Sequence, residues 1–167
     1  MEEEDDYSSS VVLGISDALI EMTGILAGLT FAFQDMSLIA LSGMVTGVAA
    51  SCSMGASEFL SKRAEPAGGS PLKAAFSTWA AYFSVVLVLI APYLLINQGL
   101  GDLDAHVVAF AVTLMLGVGV VAAFNGWLTS KQGVPFFPRF IEMLSILAFI
   151  TLLSYALGLV LGNALSV

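Results

Sequence analysis

Between residues 11 and 163 the sequence is apolar almost without a break, and the breaks are short. Five segments stand out, roughly 11–33, 38–61, 73–97, 105–129 and 139–163. Each is close to the ~20 residues that a helix needs to cross a bilayer. Only QDMS, KRAEPAGGSPL, QGLGDLD and SKQGVPFFP separate them. A soluble domain carries about a quarter charged residues, whereas this chain has 11%, against 58% hydrophobic. One small core cannot hide that much apolar surface, so lipid must solvate much of it. The reading is an all-α integral membrane protein with five transmembrane helices.

The polar remainder sets limits on function. Residues 1–10 open with MEEEDD, too acidic to insert, and read as a solvated tail able to concentrate cations. Residues 11–167 then form the five-helix domain. No basic stretch precedes residues 11–33, so that segment reads as a retained span and not a signal peptide. Five Lys and Arg residues cannot make a nucleic-acid-binding patch. Cys52 is the single cysteine, which excludes an intrachain disulfide and a Cys-based zinc site. A Gly-rich phosphate loop and a Ser–His pairing are both missing from the sequence, so an enzyme is not expected.

Positive charge sets orientation. Lys62, Arg63 and Lys73 flank the second connection, and Lys131 and Arg139 the fourth, while the first and third have no Lys or Arg. Five spans put both basic connections on one side. That side is cytoplasmic, with the N-terminus inside, the C-terminus outside, and Asp35, Asp102, Asp104 and His106 on the outer side. Small residues mark close packing. Helix 2 carries Gly43, Gly47, Ser51 and Gly55 on one stripe, helix 1 has Gly24 and Gly28, and helix 5 has Ser154, Gly158 and Gly162. These stripes predict that helices 1 and 2 approach closely.

The first segment, VVLGISDALIEMTGILAGLTFAF, breaks the apolar rule with Asp17 and Glu21. Residues four apart share a helix face, and an ionised carboxylate at membrane depth costs on the order of 2.5–3.5 kcal/mol by insertion scales. At 1.5 Å per residue, Asp17 lies about 9 Å and Glu21 about 15 Å from the inner surface. Glu58 and Glu142 lie about 5 Å in, and Met54 about 11 Å, one turn from Glu58. Asn125 falls at a similar depth. The acids therefore gather in the cytoplasmic half, and the outer half reads as dry. Glu58 and Glu142 have an alternative: reaching the interface to pair with Lys62, Arg63 or Arg139.

Carboxylate oxygens favour hard divalent cations, and a thioether shifts preference toward softer transition ions. Crowded carboxylates hold protons when no cation is present, so binding a cation releases H⁺, the basis of cation–proton exchange. The candidate metal ligands are Asp17, Glu21, Met54, Glu58 and Glu142. A passive divalent-cation channel would use the same acidic vestibule. A non-transporting interaction subunit would need an unseen basic partner.

The run LGISDALIEMTGILAGL, followed one helix later by SMGASEFLSKRAE and at the end by SYALGLVLG, resembles the vacuolar iron transporter family. The resemblance implies five membrane helices and transport of Fe²⁺ or Mn²⁺ out of the cytoplasm in exchange for protons. It implies a homodimer whose ion pathway lies at the dimer interface, formed by helix 1 and its neighbours. Asp17 matches the Asp of the family's helix 1 motif, Met54 the helix 2 methionine, and Glu58 the glutamate that follows. Two copies of Asp17, Glu21, Met54 and Glu58 would then face one another. This chain departs from the family pattern in having Ala18 where Gly is usual. It also lacks the Glu-rich segment that eukaryotic members insert between helices 2 and 3; here that connection is short and holds only Glu65. The short form implies a prokaryotic plasma membrane. Oxygen and thioether ligands do not choose between Fe²⁺ and Mn²⁺.

Overall fold

The computed structural model describes residues 2–33, 35–65, 69–96 and 104–165. Five helices account for nearly all of them: α1 (Glu2–Ala32), α2 (Met36–Ala64), α3 (Pro71–Leu95), α4 (Ala105–Gln132) and α5 (Phe136–Leu165). All five are long and apolar enough to cross a membrane. The acidic stretch expected as a solvated tail continues α1, which starts at Glu2. Asp102 lies outside the described residues.

Local chemistry fixes the ends. Asp35 caps α2, its Oδ1 accepting from the Ser37 amide at 2.8 Å and the Leu38 amide at 3.3 Å, which satisfies donors that the first turn leaves open. Pro71 opens α3, where a missing N–H removes nothing the helix uses. Gly133 ends α4 in the left-handed region at φ 66°, a conformation that costs glycine little, and its N–H donates to the Thr129 carbonyl at 3.0 Å. Pro138 falls in the first turn of α5, which begins two residues before it.

In lipid, apolar burial alone does not choose partners, and close backbone approach decides. Here α1 is the centre: it touches each of the other four helices and is the most buried of the five. Leu19, Met22 and Leu26 of α1 are fully buried with Ile39 of α2 and Val86, Leu89 and Ile90 of α3. The stripe on α2 meets α1 at Gly43, where an added Cβ would sit 3.1 Å from the Leu26 side chain. Its main partner, however, is α3. Gly47 lies against Val86, with no room for a side chain, and Gly55 against Trp79. The expected closeness of helices 1 and 2 is therefore the lesser contact, because the bulkier side chains that fill the α2 stripe come from α3. Gly24 and Gly28 of α1 serve α5 instead, where Gly158 packs directly on the backbone of Gly28.

Candidate functional site

The acidic face of α1 begins at Ser10. Ser10, Gly14, Asp17 and Glu21 recur at three- and four-residue steps, so they form one line along the helix. That line runs against α3. A Cβ on Gly14 would sit 2.5 Å from the Thr78 carbonyl oxygen, so the two backbones nearly touch there and only glycine fits. Thr78 of α3 donates its hydroxyl to the Ser10 carbonyl at 3.1 Å, pinning the same crossing.

Two of the carboxylates are held by hydroxyls on this line. Ser10 Oγ donates to Glu58 Oε1 at 2.6 Å, with both residues buried. Glu58 is therefore tied to α1 rather than to Lys62, whose Nζ lies 3.2 Å from Glu65. Tyr82 of α3, fully buried, donates its phenol to Glu21 Oε2 at 2.6 Å. Asp17, half-buried, lies one turn from Glu21 and within its electrostatic reach. Beyond Glu21, α1 and α5 enclose a groove of about 560 Å³ whose walls are apolar and small-residue, including Gly24, Gly28, Gly158 and Gly162. Glu21 is the acidic group at that groove. Met54 is half-buried on α2 and packs against the core.

Glu142 stands apart. It is exposed on α5 and lines a separate pocket of about 340 Å³ with Ser16, Asn125, Arg139 and Met143. Asn125 donates to the Val121 carbonyl at 2.9 Å and contacts the Met143 sulfur at 3.7 Å. The structure thus brings Glu58 of α2, Asp17 and Glu21 to one line along α1, with Glu21 also bonded to α3, and leaves Glu142 on another side of α1. Among the described residues no three His, Cys, Asp or Glu side chains come together as a metal-holding group.

Residues 8–67 match the VIT family. The matched stretch takes in the membrane-spanning part of α1 and all of α2, and with them Asp17, Glu21, Met54 and Glu58. The resemblance read from the two sequence motifs is borne out there. No curated protein sequence matches the chain.

Sequence reasoning missed the residues that hold these acids. Tyr82 was legible in principle, since a phenol within an apolar helix needs a partner. Ser10 and Thr78 carry no such signal, because serine and threonine readily bond their own helix's carbonyls. The half of the bundle expected to be dry also holds polar groups. The Thr30 and Tyr93 hydroxyls lie 2.6 Å apart in the core, Thr113 reaches the same phenol, and Thr113 Oγ1 donates to the Leu89 carbonyl at 3.0 Å.

Proposed function

We propose that this protein is a divalent metal transporter that exports Fe²⁺ or Mn²⁺ from the cytoplasm in exchange for protons. It would work as a homodimer, with N-termini inside and C-termini outside, in a prokaryotic plasma membrane. The observation that carries the reading is the VIT match over the two helices that supply Asp17, Glu21, Met54 and Glu58. The acidic line of α1 supports it, since the acids along it lie at successive depths and each step between them is within a few helical turns. Glu58 is the inner acid, Asp17 the next, and Glu21 the deepest, opening toward the groove beside α5. A second copy facing α1 would double this set and let a cation exchange water for oxygen and sulfur ligands.

Held hydroxyl donors matter to the chemistry. Ser10 and Tyr82 keep Glu58 and Glu21 in fixed positions when no cation is bound, so a metal meets an ordered set of acceptors. A cation entering among carboxylates displaces their protons, which couples the two fluxes.

The test is flux in proteoliposomes under a set pH gradient, comparing Fe²⁺, Mn²⁺, Co²⁺, Zn²⁺ and Ca²⁺ with an internal pH dye. Fe²⁺ and Mn²⁺ should move fastest, with counter-movement of H⁺. Metal movement without protons would favour a passive channel. Wild-type rates in Asp17→Asn vesicles would overturn the assignment of the pathway to α1.

A further inference from the structure

Away from the acidic line of α1, three helices leave a groove between them. Tyr7, Val11 and Ile15 recur every four residues and share one face of α1. Val11 and Ile15 form the floor of a cavity of about 560 Å³, with Phe76, Ala80 and Val88 of α3 along one wall and Val120 of α4 on the other. Ser84 lies on the α3 wall but donates its hydroxyl back to the Ala80 carbonyl at 2.7 Å, so the lining is in effect apolar. At the Val88 end, Thr113 of α4 donates to the neighbouring Leu89 carbonyl at 3.0 Å and ties the two walls together. Phe76 and Val88 are twelve residues apart, about 18 Å of helix. That is close to the ~15 Å of hydrocarbon in one leaflet.

The other end is polar. Lys73 lies three residues before Phe76 and seven before Ala80, on the same face of α3. Its Nζ stands 5.8 Å from the centre of the Tyr7 ring, within cation–π reach, and Tyr7 is one turn before Val11. Lysine and phenol therefore meet at the mouth of the groove. Among the described residues no carboxylate pairs with Lys73. The Tyr7 hydroxyl is shielded from solvent and has no hydrogen-bond partner, and a buried polar group left unsatisfied calls for an explanation.

We infer that this groove seats one phospholipid from the leaflet on the Lys73 side, with an acyl chain between α3 and α4 and the phosphate at Lys73 and the Tyr7 hydroxyl. The phosphate gives the phenol the acceptor it lacks, and Lys73 meets it as a point charge. The headgroup is net neutral. Five helices in alternation bring all five Lys and Arg residues to the end where α1 begins, and the run Glu2–Asp6 supplies five acids at that same end. No excess of positive charge is left there to draw a net-anionic lipid. Seating a lipid requires no metal or proton movement and is independent of the proposed transport.

The experiment is native mass spectrometry of the full chain in mild detergent, titrated with a phosphatidylethanolamine. One phospholipid should stay bound per chain. Lys73→Ala should need about fivefold more lipid for half-occupancy, the worth of one cation near a lipid surface. Diacylglycerol, which has no phosphate, should bind the wild type more weakly by at least as much. Ser84→Leu places a larger side chain in the groove at an exposed position and should lose the bound lipid, while Ser145→Leu, exposed on α5, should keep it. Equal helical signals in circular dichroism should show that both variants fold. Diacylglycerol binding as tightly as the phospholipid, or Lys73→Ala protein titrating like wild type, would overturn the phosphate site. Full retention of lipid by Ser84→Leu would overturn the groove as its seat. Phosphatidylglycerol binding more tightly than phosphatidylethanolamine would overturn the net-neutral headgroup. A mass shift from dimer to monomer in Ser84→Leu would give the groove to a second copy of the chain instead.

Discussion

Helix α1 presents two polar faces that differ in kind. One carries Asp17 and Glu21 and lies against α3 and α5; the other carries Ser16, Thr23 and Thr30 and lies against α4 and, at Thr30, α3. The acidic face is charged, closely packed at Gly14, and held by hydroxyl donors from Ser10 and Tyr82. The hydroxyl face is neutral, bonds largely to buried groups, and leaves Thr23 unsatisfied. Charge with preset donors gives fixed acceptors at membrane depth; buried neutral hydroxyls tie neighbouring helices together. One helix thus carries two kinds of polar contact because its circumference separates them.

The comparison breaks most visibly at Asp17. Asp17→Asn should slow metal flux about ten- to a hundredfold, the loss of one charge-assisted contact, while the protein still inserts and folds. Membrane fractionation and vesicle flux together check this. Gly158→Leu comes next. It forces a side chain into the Gly28 backbone, and such overpacking costs about 1–3 kcal/mol, visible as earlier thermal unfolding in detergent and as reduced metal flux through loss of the groove beside Glu21. Tyr82→Phe should have a smaller effect. It frees Glu21 of a 2.6 Å donor and should cut the metal rate about fivefold, the equivalent of one hydrogen bond, with H⁺ per metal unchanged. Ser10→Ala should be mildest: the protein stays assembled through Gly14 and Thr78, and thermal stability falls by about 1 kcal/mol as Glu58 loses its donor.

Much of the architecture was legible from the residues. Segment length gave five helices, and Asp35, Pro71 and Gly133 set ends through cap chemistry that needs no tertiary context. The helix partners were not legible. In water, a 3.6-residue period of apolar positions marks the inward face, but in lipid both faces are apolar and the period fades. The α2 stripe showed that something packs closely and could not show that it was α3. The acids were legible one by one from their cost in a membrane. Their separation was not: depth alone put Glu142 with Asp17 and Glu21, whereas rotation about the helix axis puts it beside Ser16 and Asn125. Depth is one coordinate of a site on a helix bundle, and the angular one comes only from packing.

The contact between Gly28 and Gly158 joins the first of these five helices to the fifth. During synthesis α1 enters the bilayer early and waits, its glycine face turned to lipid, while α2, α3 and α4 assemble around its other sides. Glu21 gains the α5 wall of its groove only when the final helix docks. A chain that stops before α5 therefore has Asp17 and Glu21 in place but lacks the α5 wall of the groove beside Glu21.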